Sequence, residues 1–280
     1  MHKKADSFLY NLPNRVDMKE KIITYAKEQN IEICGFLEEQ GRSIFVALFP
    51  YYTGPIKEIG IARYARLPDY HRVCKSYLER IGEYAKTLDG TLSYERSVDR
   101  EGNPERYWAM RAGLGFIGRN HCLINPVYGS FVFIGALLFS KEIYGQNHCA
   151  ELLSPCDSCG RCLSACPTGT LQQNDFSVCL SNISQQKQLS QAEHALLLQN
   201  PRVWGCDLCQ NTCPYNRNPK LTPLLEFYQN QLDNLAIFQE ISELSNREFQ
   251  KNFQIYPFTW RGKKVIERNL NIYQTKKRTL

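Results

Sequence analysis

Residues 156–167 read Cys156-x2-Cys159-x2-Cys162-x3-Cys166-Pro167, where x is any residue. Steps of two residues can place three thiolates on one face of an iron-sulfur cube, and the proline then turns the chain away. In chains that bind two clusters through this spacing, the fourth cysteine is a ligand of the other cluster. The stretch therefore predicts a segment that folds around 4Fe-4S clusters.

A second motif, Cys206-x2-Cys209-x3-Cys213-Pro214, ends in the same way but has three cysteines. Cys179 lies between the two motifs and is the candidate for the missing ligand. If the fourth ligands are swapped, the eight cysteines divide into two complete sets. One cluster is predicted to take Cys156, Cys159, Cys162 and Cys213, and the other Cys166, Cys179, Cys206 and Cys209.

Zinc and disulfides are the alternatives for these cysteines. A zinc site usually combines two separated Cys-x2-Cys pairs, which a triple run ending in Cys-Pro fits poorly. Disulfides are rare in a reducing compartment, where cysteines serve more often as metal ligands. Four further cysteines lie outside the pattern and are expected to be incidental thiols: Cys34, Cys74, Cys122 and Cys149.

The composition places the chain among globular proteins rather than membrane or small secreted ones. Its 280 residues, 43% of them hydrophobic, suffice for a core domain with an appendage. The longest apolar stretches, Ile44–Phe49 and Phe131–Phe139, are too short to cross a bilayer, and the N-terminal Met-His-Lys-Lys precedes no apolar signal core. We therefore expect a cytoplasmic protein with no membrane partner.

Apolar periodicity predicts helices mixed with strands in the first half of the chain. The uninterrupted apolar run Ile44–Phe49 indicates a strand that is buried on both faces. The predicted elements are helices at Met18–Asn30 and Tyr70–Leu88 and strands at Ile31–Leu37, Ser43–Phe49, Thr91–Val98 and Phe131–Phe139. They indicate an α+β fold.

Three parts follow from these patterns: an α/β domain at 1–148, a cysteine-rich segment at 149–218 and a helical segment at 219–280. The second contains a helix whose start is marked by Ser190 and Glu193, a capping box. Residues 246–280 hold nine Lys or Arg against two Glu, so the excess positive charge of the chain lies there. Such a segment can bind a polyanion through phosphate contacts, although a solvated tail has the same composition.

Gly113-Leu-Gly-Phe-Ile-Gly118 matches the glycine pattern of dinucleotide sites. That pattern requires a strand before it, whereas residues 104–112 are predicted to be helical. A glycine loop that lets backbone approach a large flat ligand is the preferred interpretation.

Several short motifs, in this order and spacing, resemble those of the epoxyqueuosine reductase family, over about residues 18–270. They are Arg63-Tyr-Ala, Asp69-Tyr-His71, Val98-Asp99 with Glu105-Arg106, Ala112-Gly-Leu-Gly-Phe, Asn125 with Gly129-Ser-Phe131, Cys166-Pro-Thr-Gly and Gly205-Cys-Asp-x-Cys. The family removes the epoxide oxygen of epoxyqueuosine at the tRNA wobble position, the last step of queuosine synthesis.

The resemblance implies a nitroreductase-like domain that binds cobalamin (B12), then a two-cluster ferredoxin-like domain and a short helical C-terminus. Asp99 corresponds to the general acid of the family, and the eight cysteines above to its cluster ligands. Its partners would be tRNA with a queuosine-type anticodon stem loop and an external low-potential electron donor, and we expect a monomer. The cobalamin contacts are expected at Ala62, Arg63, Asn120, His121 and Cys122.

Without the resemblance, Asp99 would be interpreted as a turn aspartate, and His71 and His121 as structural histidines. The chain also differs from the family, since Gly35–Arg42 is a short turn where typical members carry several dozen more residues. It stops soon after Arg268, where the helical repeats of longer members would begin. Two other functions therefore stay open: a cobalamin-dependent reductase of a small molecule, as in reductive dehalogenases, and a non-catalytic electron-transfer protein.

Overall fold

The computed structural model describes residues 17–145, 147, 156, 158–238 and 241–279, with the backbone alone for 277–279. Cys149, the boundary at 148/149 and the N-terminal Met-His-Lys-Lys lie outside the described residues. Within the described part, no helix is both long and apolar enough to pass through a bilayer.

Ten α-helices and six strands make up the regular structure of the described residues. The helices are α1 (Met18–Glu28), α2 (Tyr70–Leu88), α3 (Glu105–Arg111), α4 (Arg161–Ala165), α5 (Thr170–Gln173), α6 (Leu180–Gln185), α7 (Gln191–Gln199), α8 (Leu208–Asn211), α9 (Asn246–Phe253) and α10 (Lys263–Thr279). The strands are β1 (Cys34–Glu39), β2 (Arg42–Pro50), β3 (Tyr94–Ser97), β4 (Phe116–Ile117), β5 (Leu123–Ile124) and β6 (Val132–Phe139). Short 3-10 helices span Arg63–Arg66, Phe176–Val178, Pro214–Asn216, Leu225–Tyr228, Ala236–Phe238 and Pro257–Arg261.

The predicted helix at Tyr70–Leu88 is confirmed with the same bounds, and the capping box at Ser190 is present at the start of α7. The predicted strand at Thr91–Val98 is shorter in the structure. Thr91 donates from its backbone N–H and its hydroxyl to the Asp89 carboxylate, which holds a turn there. β3 therefore starts only at Tyr94.

The central sheet is antiparallel, with the strand order β1-β2-β6-β3. β2 is buried on both faces, as its apolar run predicted. Alternate residues of β2 enter two separate cores. Phe45, Ala47 and Phe49 pack in the core under α1 and α2, whereas Ile44, Val46 and Leu48 pack in the core with α3. The mixed helix and sheet fold is thus confirmed, while the nitroreductase-like arrangement stays a prediction.

The glycine motif at 113–118 joins a helix to a hairpin and does not follow a strand. Gly113, with φ +73°, lies just after the end of α3, where a left-handed residue is common. A Cβ at Gly115 would lie 2.6 Å from the Ile124 carbonyl oxygen, so this glycine permits close packing of β4 on β5. The close approach is therefore made to the protein itself, which differs from the interpretation as a ligand loop.

The C-terminal part packs into cores that also contain earlier parts of the chain. Leu224 and Phe227 join the core under α1 and α2. A second core combines C-terminal aromatic residues with Ile59 and Ile61, from before α2, and Trp204, from the cysteine-rich segment. The three-part division of the chain stays a prediction, but these parts share hydrophobic cores.

Candidate functional site

Four thiols surround a cavity of about 210 Å³ at one end of the cysteine-rich segment. They are those of Cys156, Cys159, Cys162 and Cys213, the set that the sequence assigns to one cluster. Gly160, with φ +61°, reverses the chain after Cys159 and starts α4, which carries Cys162. Cys213 reaches the same cavity because α8 packs against α4.

Burial raises the pKa of the Cys162 and Cys213 thiols. Thiolates at these positions therefore need nearby positive charge, which cluster iron would supply. Among the described residues, no group of three His, Cys, Asp or Glu side chains is arranged to hold a single metal ion.

The second predicted set is assembled in part. Burial raises the pKa of Cys209, and the nearby thiols of Cys122, Cys206 and Cys179 act in the same direction, so Cys206 and Cys179 both lie within electrostatic range of Cys209. Cys166 follows α4 directly, and α4 packs against α8, which carries Cys209. Burial acts to raise the pKa of Cys166, but hydrogen bonds from Thr168 and from the backbone of Leu171 and Thr170 lower it overall. These hydrogen bonds favour its thiolate form.

A much larger cleft, of about 1190 Å³, is lined by residues from three parts of the chain, at 51–134, 181–210 and 257–260. Its volume exceeds the roughly 300–1,000 Å³ typical of pockets for drug-sized ligands. The cysteine-rich segment contributes four side chains to it: Ser181, Gln185, Trp204 and Gln210. Among the predicted site residues, Asp99, His121 and Cys122 line this cleft, and so does His71.

Asp99 projects from a turn that is braced by Glu105. The Glu105 carboxylate accepts hydrogen bonds from the Ser97 hydroxyl and from the backbone N–H of Arg100 (3.1 Å). Asp99 itself has φ +51°, a left-handed conformation that aspartate tolerates better than most residues. Its side chain is 72% exposed, so the carboxylate is open to the cleft.

Two side chains at the start of α2, those of Tyr70 and His71, contact Asp99. Tyr70 donates its hydroxyl hydrogen to Asp99 Oδ2 (2.7 Å), and its ring stacks on Phe133. His71 lies between two carboxylates: Nδ1 is 2.8 Å from Asp69 Oδ1, and Nε2 is 3.8 Å from Asp99 Oδ2. Burial acts to raise the pKa of Asp69, but its hydrogen bonds with His71 lower it overall. The motif Asp69-Tyr-His71 could be recognised in the sequence, but its contact with Asp99 could be recognised only in the structure.

Ala62 and Arg63, two of the predicted cobalamin contacts, are held by other parts of the protein. The Ala62 N–H donates to the Trp204 carbonyl (2.8 Å). Arg63 is 8% exposed, and its guanidinium donates to the Gly54 carbonyl (2.7 Å) and lies over the Tyr52 ring. Neither residue lines the large cleft. Their contact with cobalamin stays a prediction, and the contacts present are structural.

The remaining predicted contacts occupy two different places. Asn120 lines the smaller cavity, among the first set of thiols, and its Oδ1 accepts from the Cys122 N–H (3.2 Å). Cys122 lines the large cleft, and burial raises its pKa to about 12. It also lies within electrostatic range of Cys162 and Cys209, one thiol from each predicted set. Cys122 thus lines the cleft within electrostatic range of both sets.

The comparisons with known proteins bear on the cysteine-rich segment and on the family of the chain. A family model described as a 4Fe-4S double cluster binding domain matches residues 155–216. An epoxyqueuosine reductase of Leadbetterella byssophila is 31% identical, over 78% of this chain and 72% of the relative. One of Listeria monocytogenes is 28% identical, over 90% of this chain and 79% of the relative. In several other relatives of the same name, the aligned part spans little more than half of the relative.

A solved structure shows the same fold. It is a crystal structure of an epoxyqueuosine reductase with an epoxyqueuosine-modified tRNA-Tyr stem loop. It is 26% identical, covers 91% of this chain and 80% of its own, and superposes with a TM-score of 0.79.

Replacement of Cys213 by alanine tests the first ligand set. A protein with two 4Fe-4S clusters contains about eight iron and eight sulfide per chain, and we expect Cys213→Ala to reduce each to about four. Cys122→Ala is the matched control, because it removes a neighbouring, partly buried thiol that neither set includes. Iron and acid-labile sulfide are measured in anaerobically purified protein. Loss of iron in the control but not in Cys213→Ala would contradict the assignment.

Proposed function

The chain belongs to the epoxyqueuosine reductase family, and on this premise we propose that it reduces epoxyqueuosine to queuosine at the wobble position of tRNA. The observation that carries the proposal is the large cleft, in which the Asp99 turn and residues flanking the second thiol set line the same space. Opening the epoxide to a double bond consumes two electrons and two protons and releases water. In the cleft, Asp99 would supply a proton, and the adjacent second thiol set would supply the electrons.

The cleft also fits cobalamin as the proposed cofactor. Its volume suits a large ligand, and Cys122 in its wall lies within electrostatic range of thiols of both sets. His121 and Cys122 would hold the cofactor together with the aromatic rings of Tyr64 and Trp204. When bound, cobalamin supplies a strongly reducing, nucleophilic metal centre. The protein binds and orients it and excludes competing reactions.

Asp99 is the proposed proton donor to the epoxide oxygen. Tyr70 fixes the Asp99 carboxylate, and His71 is placed to return a proton to it through Nε2. The lowered pKa of Asp69 keeps that carboxylate charged, and its contact with Nδ1 (2.8 Å) orients the His71 ring. Tyr70 would therefore orient the Asp99 carboxylate, and His71, held by Asp69, would return a proton to it between turnovers.

The C-terminal part offers a surface for the tRNA. Arg247, Lys251 and Lys264 are exposed and have no ion-pair partner among the described residues. Trp260 lines the cleft and is 62% exposed, with the Arg261 guanidinium 3.7 Å from its ring centroid. Exposed aromatic rings and guanidinium planes are the groups on which proteins stack unpaired RNA bases.

Nucleoside analysis of tRNA tests the proposed function most directly. When the chain is expressed in cells that lack their own epoxyqueuosine reductase, queuosine should appear in tRNA and epoxyqueuosine should disappear, as measured by mass spectrometry. Epoxyqueuosine that persists beside soluble, cluster-loaded protein would overturn the proposal.

Asp99→Asn tests the proposed acid. The amide preserves size and hydrogen bonding but cannot supply the proton, so turnover should fall on the order of 100- to 10,000-fold. Cluster content and cobalamin binding should survive. Glu142→Gln is the control, since Glu142 is an exposed carboxylate outside the cleft lining. A variant that retains a third of the turnover, with cofactors intact and chemistry rate-limiting, would show that Asp99 is not the acid.

Neutralising the C-terminal charges tests the tRNA surface. Replacing Arg247, Lys251 and Lys264 by Gln should weaken tRNA binding and make log K less dependent on log salt, by up to about 0.9 per lost phosphate contact. The control replaces three exposed lysines on α1 and α2 by Gln: Lys21, Lys27 and Lys75. Binding is titrated at several salt concentrations. Equal salt slopes in the two variants would contradict this surface.

A further inference from the structure

The two thiol sets differ in what they face. Three side chains close to ligands of the second set line the large cleft: Ser181, Trp204 and Gln210. Among the described residues beside the first-set ligands Cys156, Cys159 and Cys162, none lines that cleft, and only the fourth ligand, Cys213, follows Gln210 by three residues. Cys159, in the first set, is the one exposed thiol among the eight predicted ligands. Electrons would therefore enter from the surface at the first set and pass to the second set and the cleft.

The rim of the first cavity is positively charged. Arg119 and Arg161 both line it, and both are exposed. Neither has an ion-pair partner in the part of the chain that the structure describes, and the cavity lining contains no Asp or Glu there. The apolar side chains of Pro214 and Tyr215, together with the buried Ile124, line the same cavity. Two unpaired charges beside apolar side chains at the mouth of one cavity are suited to a brief encounter steered by charge.

We propose that the rim formed by Arg119 and Arg161 is the docking surface for an acidic, low-potential one-electron carrier protein. This inference rests on the proposed function, which needs two electrons for each epoxide and so requires two docking events. In each event the reduced carrier loses one electron and the cluster at Cys156, Cys159, Cys162 and Cys213 gains it. Electron-transfer encounters bury little surface, typically below about 1,200 Å², so a small charged rim suffices.

The test measures cluster reduction alone, without tRNA. Cluster-loaded full-length protein is mixed anaerobically with fully reduced flavodoxin, an acidic carrier, and loss of cluster absorbance is followed by stopped flow. Arg119→Glu/Arg161→Glu should lower the second-order rate constant at low salt about tenfold or more, since steering changes on-rates by roughly 10- to 1,000-fold. Arg119→Gln/Arg161→Gln should show an intermediate loss. The wild-type rate should fall as salt is added, and the rate of the Glu variant should not.

Two controls separate docking from damage. Lys27→Glu/Lys75→Glu makes the same charge change on α1 and α2, away from the rim, and should leave the flavodoxin rate within about twofold of wild type. Methyl viologen radical, a small cation, should reduce the Glu variant at least as fast as wild type. If iron is lost from the Glu variant, the Gln variant decides the result.

Three results would overturn the proposal: an unchanged flavodoxin rate in the Glu variant, an equal loss with methyl viologen in protein of full iron content, or an equal loss in the lysine control. A separate tRNA titration covers the other occupant: a Glu variant that keeps the flavodoxin rate but binds tRNA more weakly would overturn the proposal and assign the rim to RNA. Because no epoxyqueuosine is present, failure of the proposed function would leave this measurement intact.

Discussion

The return of Cys213 to the loop of Cys156, Cys159 and Cys162 is the constraint on which the functional half of the molecule depends. It requires α8 to pack against α4, although about 45 residues of sequence separate these helices. Because burial raises the pKa of Cys162 and Cys213, their thiolates are unfavourable unless iron compensates the charge. Cluster binding and the folding of this segment are therefore expected to be coupled.

The same packing builds the cleft. Trp204 and Gln210, on either side of Cys206 and Cys209, reach its wall, and the Trp204 carbonyl accepts a hydrogen bond from Ala62. Asp207 accepts a hydrogen bond from the Arg63 backbone N–H (2.5 Å), and burial raises the pKa of this carboxyl despite the nearby guanidinium. These two hydrogen bonds join Ala62 and Arg63 to the cysteine-rich segment. The cleft therefore forms only when both parts of the chain are folded.

The basic side chains of the C-terminus serve two purposes: some hold α10 in place, and others are free to contact a polyanion. Arg268 donates to the carbonyls of Gln186 and Lys187, and Lys263 donates to those of Ser242 and Leu244. Asn269, fully buried in the same helix, donates to the carbonyls of Ser184 and Val203. Part of α10 is therefore a structural helix, and the positive charge available to a polyanion is smaller than the local excess suggests.

The sequence by itself determined the features that depend on local spacing. The cysteine steps indicated two cluster motifs, and apolar periodicity predicted the bounds of α2 and the double-sided burial of β2, because ligand spacing and side-chain period are properties of short segments. Only the tertiary structure decided which segments meet. Asp99 and His71 are 28 residues apart, and neither periodicity nor motif spacing encodes that Asp99 and the start of α2 face one cleft. For the same reason the sequence did not show that the buried Arg63 guanidinium lies over the Tyr52 ring and donates to the Gly54 carbonyl, while its predicted contact with the cofactor stays a prediction.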